Sequence, residues 1–193
     1  AAQLDRDIAL VLDVSGSMAD NGKFTGLQQA MNVFIAEINR TPQTEHVSLA
    51  TYSTTSNRDQ ALTPDMNQIA SAFATKSPRG LTAIGLGLQD GVNSLMSDSL
   101  RRPFAEPIVV LMTDGIHNTG VIPETVARAA PNNITIHTIT FGADADVARM
   151  IRVRDISRSK GNADAQHFHA PDNSGLRQIF RQIAATLPVV LTE

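Results

Sequence analysis

Ile8-Ala9-Leu10-Val11-Leu12-Asp13-Val14-Ser15-Gly16-Ser17-Met18 is the stretch on which the reading of this chain turns. Five apolar residues in a row, with no polar alternation, predict a strand buried on both faces, as in a parallel sheet covered by helices. The strand ends at Asp13 and gives way to a polar loop with one carboxylate and two hydroxyls at alternate positions, Asp13-x-Ser15-x-Ser17. These are hard oxygen ligands, matched to Mg²⁺, Ca²⁺ or Mn²⁺ and poorly matched to zinc. A metal in such a loop receives little negative charge and stays receptive to one more anionic oxygen.

The rest of the chain repeats the alternation of β-rich runs and helical patterns. Strands are expected at residues 7–13, 46–53, 107–113 and 134–141, with a short edge strand at 58–62 and a last short one at 166–169. Helices are expected at 23–40, 65–75, 84–97, 123–130 and 145–158, and a final one opens after a cap at Asp172 or Asn173. Leu27, Met31, Phe34, Ile35 and Ile38 form one helical stripe; Leu176, Ile179, Phe180, Ile183, Ala184 and Leu187 form another. The pattern predicts a doubly wound α/β fold: a mostly parallel sheet flanked by helices, with one short antiparallel edge strand. No linker or repeat interrupts it, so residues 1–193 read as a single domain with its core at about 7–187.

Composition narrows the function. The 193 residues are 42% hydrophobic and 18% charged, with a net charge of −3, which is an ordinary globular balance. No basic cluster exceeds the doublet Arg101-Arg102, which argues against a nucleic-acid partner. The absence of cysteine removes disulfides, thiol catalysis and Cys-ligated zinc. No apolar run approaches the ~20 residues of a membrane span, and no secretory leader is visible. The sequence opens abruptly at Ala1, which leaves room for an upstream segment.

Two further polar loops accompany the first. Gly80-Leu81-Thr82-Ala83-Ile84-Gly85 opens a helix, and Met112-Thr113-Asp114-Gly115 closes the strand at 107–113. In an open α/β sheet, ligands bind beyond the carboxyl ends of the strands at the switch point. If the two strands are neighbours, Asp13, Ser15, Ser17 and Asp114 converge, with Thr82 beside them. Turn and capping roles are the plain alternative for each residue taken alone.

The D-x-S-x-S loop, a Thr in a G-x-T-x-[IL] setting and a T-D-G after a buried strand, in this order, resemble the metal-ion-dependent adhesion site of von Willebrand factor A domains. The resemblance covers roughly residues 7–187. It implies that Asp13, Ser15, Ser17, Thr82 and Asp114 hold a divalent ion, Mg²⁺ or else Mn²⁺ or Ca²⁺. In the family, hydroxyls bind the metal directly or through water, the two carboxylates act mainly through water, and a partner protein's Asp or Glu often fills the sixth position. The implied function is non-catalytic, cation-dependent protein binding. Met18, Asn21, Gly80, Leu81, Ile116, His117 and Asn118 would line the partner face. The run Thr140-Phe141-Gly142-Ala143-Asp144-Ala145-Asp146 and the ending from His169 to Leu187 are similar to bacterial A domains of tight-adherence pilus-assembly and related surface proteins. That implies the cell envelope or the exterior. A cytoplasmic assembly factor paired with an ATPase is the alternative within the family.

Competing motifs fail on particular residues. A calcium loop of the EF-hand type starting at Asp13 needs Gly at position six and Glu at twelve, where Met18 and Phe24 stand. Gly85-x-Gly87-x-x-x-Gly91 has one residue too many for a dinucleotide fingerprint and reads better as small residues for close helix–sheet packing. No G-x-S-x-G elbow supports a serine hydrolase. A Mg²⁺-dependent phosphohydrolase of the haloacid-dehalogenase type needs an acid where Ser15 stands and further acids after Asp114, which is followed by Gly-Ile-His-Asn. Among the histidines, His137 is expected to pack within a strand and His167 and His169 to face solvent. His117 is expected either to border the metal face or to be an exposed loop residue.

Overall fold

Every residue of the first strand, β1 (Arg6–Asp13), is buried. Its side chains divide by parity. Ile8, Leu10 and Leu12 enter one hydrophobic cluster and Ala9 and Val11 the other. Each large side chain so buried contributes on the order of 1.5–3 kcal/mol of transfer free energy. β4 (Glu106–Thr113) divides in the same way, with Ile108, Val110 and Met112 on one face and Val109 and Leu111 on the other.

The structure, a computed structural model, describes residues 4–185. β2 (His46–Tyr52), β3 (Ser56–Thr63), β5 (Thr135–Phe141) and β6 (His167–Ala170) complete a six-stranded sheet ordered β3-β2-β1-β4-β5-β6. All neighbouring pairs are parallel except β2 with β3. This is the expected doubly wound fold. β1 and β4 are neighbours, in register from Arg6 against Glu106 to Leu12 against Met112. Both therefore end together at the switch point.

Helices α1 (Lys23–Ile38), α2 (Met66–Phe73) and α6 (Asn173–Ala184) cover one face. Helices α3 (Ile84–Ser97), α4 (Pro123–Ala129) and α5 (Val147–Ser159) cover the other. The predicted stripes are the buried ones: Leu27, Met31, Phe34 and Ile38 of α1 pack with Leu176, Ile179, Phe180 and Ile183 of α6. Phe34 and Phe180 meet edge to face at 6.3 Å. Leu187, expected on the α6 stripe, lies outside the described residues. Asp172 rather than Asn173 caps α6, accepting from Gly175 N at 2.8 Å. The glycines of α3 serve close packing. A Cβ on Gly91 would stand 2.5 Å from Val11 Cγ2, and one on Gly87 would stand 2.4 Å from Tyr52 Cδ1.

Two expectations are corrected. The antiparallel edge strand is not short: β3 runs eight residues rather than 58–62. Its first six residues are half-buried or exposed, so its polar sequence carries no core pattern. Met18 does not face a partner. It is fully buried in the α1-side core, from a short 3-10 turn at Gly16–Ala19. Among the described residues no helix is long and apolar enough to cross a membrane.

Candidate metal centre

Parallel pairing carries the polar loops to one end of the sheet. Asp13 is the last residue of β1, and Asp114 follows the last residue of β4. Both carboxylates are completely buried. Two hydroxyl–carboxylate hydrogen bonds lie side by side between them. Asp13 Oδ1 accepts from Ser15 N at 2.8 Å and from Ser15 Oγ at 2.5 Å. Ser15 Oγ lies 3.3 Å from Ser17 Oγ, and Ser17 Oγ donates to Asp114 Oδ1 at 2.9 Å. Asp13 Oδ2 accepts from Thr113 Oγ1 at 2.9 Å. Tyr52, buried on the neighbouring strand, donates its hydroxyl to Met112 O at 2.6 Å and forms part of the floor.

Thr82 reaches this end through the loop before α3. That loop is tied on three sides. Gly16 N donates to Gly80 O and Arg79 N to Val14 O, both at 2.9 Å, which binds it to the first loop. Leu81 N donates to Thr54 Oγ1 at 3.0 Å, and Ala83 N to Ser53 O at 2.8 Å, which binds it to the β2–β3 turn. Asn118 grips Thr82 on both backbone atoms: its Oδ1 accepts from Thr82 N at 2.9 Å, and its own N donates to Thr82 O at 3.1 Å. Gly80 has φ +77°, and a Cβ there would lie 2.6 Å from Thr54 Oγ1. Glycine is thus demanded twice, by conformation and by space.

His117 belongs to the same scaffold. Its Nδ1 accepts from Ile84 N at 3.2 Å, so its Nε2 carries the proton and donates to Gly120 O at 3.2 Å. Burial lowers its pKa, with the cation of Arg149 adding to the effect, and keeps the neutral form this geometry requires. The residue is half-buried and hydrogen-bonded through both ring nitrogens, so it is not a free loop histidine. Elsewhere, His137 is half-buried and accepts from Gln166 N at 3.0 Å, and burial takes its pKa down to about 4. His167, expected in solvent, is instead half-buried and bonded to Thr138 Oγ1 at 2.8 Å, whereas His169 is exposed.

The electrostatics of the cluster are uneven. Burial raises the pKa of Asp13 first, and the nearby charge of Asp114 raises it further. Two carboxylates this close resist ionising together, and a cation relieves both effects. Sequence reasoning missed a cation beside the cluster. Lys23, the first residue of α1, is buried and places Nζ 3.0 Å from Asp114 Oδ2. Its signal was available, because Lys23 stands four residues before Leu27 on the apolar stripe, where a charge is out of place.

Two carboxylates, two serine hydroxyls and a neighbouring threonine suit a hard divalent ion. Among the described residues there is no group of three or more His, Cys, Asp or Glu that could hold a metal, so carboxylate-rich or imidazole-based sites are not the model. The expected partner-face residues Asn21, Gly80, Leu81, Ile116 and Asn118 are exposed around this end, with Ile116 61% and Leu81 49% accessible.

Comparison with known proteins adds an independent line. Residues 7–182 match the model of the von Willebrand factor type A domain. Calcium-activated chloride channel regulator 1 of Bos taurus is 24% identical over 185 residues, a match that takes in 93% of this chain and 19% of that protein. The solved structure of von Willebrand factor type A from Catenulispora acidiphila aligns with a TM-score of 0.78 at 18% identity, over 94% of this chain and 42% of that one. Proximal thread matrix protein 1 from the mussel byssus, solved with a zinc-occupied MIDAS motif, gives 0.72 at 21% identity, over 94% of this chain and 46% of that one. The chain therefore spans about a fifth of the curated relative and less than half of each of these two structures.

Proposed function

The chain belongs to the von Willebrand factor type A family, and on that premise we propose that it is a divalent-cation-dependent protein-binding module whose metal is held by Asp13, Ser15, Ser17, Thr82 and Asp114. The observation that carries the reading is the pair of hydroxyl–carboxylate hydrogen bonds, Ser15 to Asp13 and Ser17 to Asp114, with the two Oγ atoms 3.3 Å apart at the ends of two adjacent strands and Thr82 held beside them by Asn118. Bound there, the ion supplies electrophilic character toward one anionic oxygen. The chain's own residues do the remaining work. The serine and threonine hydroxyls would offer neutral ligands, and the two buried carboxylates hold the serine hydroxyls in place. The partner's Asp or Glu supplies the missing anion.

Mg²⁺ is the ion proposed, or Mn²⁺ or Ca²⁺, because hydroxyl and carboxylate oxygens are hard ligands. The zinc in the MIDAS motif of the byssus protein makes Zn²⁺ a necessary comparison. The proposal is non-catalytic. Asp13 is fully buried with both oxygens engaged by its own chain, which leaves no free nucleophile at the position a phosphohydrolase would use. A cell-surface or extracellular setting, and a place near the pilus-assembly members of the family, are supported by the 140–146 and 169–187 sequence runs. The matrix-protein neighbour favours the same setting.

Calorimetric titration of Mg²⁺, Mn²⁺, Ca²⁺ and Zn²⁺ into the wild type and Asp13→Ala tests the reading. Saturable binding by the wild type, weakened about 100-fold or more by the substitution, is expected. Absence of specific binding in the wild type overturns it.

A further inference from the structure

Lys23 breaks two local rules at once. It is a buried ammonium, and it occupies the first position of a 16-residue helix, where the helix dipole repels positive charge. The backbone is shaped to put it there. Asn21 has φ 55° and Gly22 has φ 69°, two successive left-handed residues that turn the chain from the Ser17 loop straight into α1. The loop after β5 then covers its stem: a Cβ on Gly142, itself at φ +82°, would lie 3.4 Å from Lys23 Cε. Nζ is thus aimed at Asp114 Oδ2, 3.0 Å away, while the other oxygen of that carboxylate takes the Ser17 hydroxyl. Asp13 has no cationic partner at hydrogen-bond or ion-pair distance among the described residues.

We propose that Lys23 sets the charge of the metal site, weakening the ion's own binding and making the loaded site demand an anion. This rests on the metal-binding reading given above. With both carboxylates ionised, as a bound cation favours, they and the one ammonium carry a net single negative charge before the ion's own charge is added. A dication turns that into one positive charge, and a partner's carboxylate cancels it. Without Lys23, the same ion would be neutralised by Asp13 and Asp114 alone, and the partner's carboxylate would be surplus. Lys23 therefore trades affinity for the metal against dependence on the partner. In the metal-free protein it takes part of the ion's role by holding Asp114.

Mn²⁺ titrations in chloride buffer, with and without added acetate as a stand-in for the partner's carboxylate, test this on the wild type, Lys23→Met and Lys23→Arg. In chloride, Lys23→Met is expected to bind Mn²⁺ about tenfold more tightly than the wild type or more. Acetate should strengthen Mn²⁺ binding in the wild type and in Lys23→Arg, which keeps the charge, and leave Lys23→Met unchanged. Melting in chelator should show Lys23→Met destabilised relative to Lys23→Arg. Lys23→Gln gives the same reading where Lys23→Met does not fold. A Lys23→Met protein that melts lower yet binds Mn²⁺ and acetate like the wild type makes Lys23 a purely structural ion pair and overturns the proposal. A wild type that binds no Mn²⁺ overturns instead the metal-site reading beneath it.

Discussion

The two ends of the sheet both bury charge, and they do so in opposite ways. At the amino ends of the strands the charges are matched. Arg6 Nε lies 3.2 Å from Glu45 Oε1, and its guanidinium also donates to Ile183 O and Ala184 O at 2.7 Å, closing the end of α6. Arg102 pairs with Asp7 at 3.0 Å and donates to Arg6 O and Thr44 O. At the carboxyl ends, Asp13 and Asp114 lean on hydroxyls, and a lysine meets Asp114 but not Asp13. The first arrangement is electrically complete and serves the fold. The second is short of positive charge, which a fold gains nothing from and a cation site requires.

The sharpest way to break this contrast is to unpair the complete end. Glu45→Ala leaves Arg6 buried without its carboxylate and is expected to cost about 3–5 kcal/mol in urea unfolding while leaving Mn²⁺ affinity intact. Asp13→Ala should do the reverse, abolishing ion binding while costing less stability in chelator than Glu45→Ala, because the hydrogen bonds lost from Ser15 and Thr113 are partly offset by the carboxylate repulsion it removes. Equal effects of the two substitutions on both measurements would erase the distinction.

The matched end also carries a pH dependence. His137 has its pKa depressed from the ordinary 6.5 to about 4, by burial and then by the charge of Arg6. Between those values the unfolded chain takes up a proton that the folded chain refuses. Stability therefore falls as pH falls through that window, by up to ~1.4 kcal/mol per pH unit from this residue. It levels off for this group below about 4. Urea unfolding across that range should show the slope reduced in His137→Asn.

A smaller effect belongs to the support of the open end. Asn118→Ala removes the side-chain acceptor for Thr82 N and is expected to weaken Mn²⁺ binding by about tenfold or less. The accompanying loss of stability should be about 1 kcal/mol. Unchanged ion affinity in this variant would remove Thr82 positioning from the account.

The sequence reading succeeded where one physical signal dominated. β1 and β4 are apolar on both faces, and the helical stripes of α1 and α6 have the right period, so their placement followed from burial alone. Two of the three polar loops were legible because hard oxygens follow the buried strands β1 and β4, and the third because it opens α3. β3 was underestimated because Ser56-Asn57-Arg58-Asp59-Gln60 has no core pattern, its pairing with β2 coming from the backbone. Met18 was misplaced because the 3-10 turn that sends it inward leaves no periodic trace. Tyr52 and the Asn118 clamp act through tertiary contacts 60 and 36 residues apart in sequence, which local patterns do not encode, whereas Lys23 left a local trace as a charge on the apolar stripe of α1.

Everything said of the open end depends on where an ion sits. A crystal structure of the wild type soaked in Mn²⁺, with anomalous difference density collected near the metal edge, answers this directly. The account predicts one peak among the hydroxyls of Ser15, Ser17 and Thr82, beside Asp13 and Asp114. No peak there at saturating Mn²⁺, or a peak only elsewhere on the molecule, would contradict it.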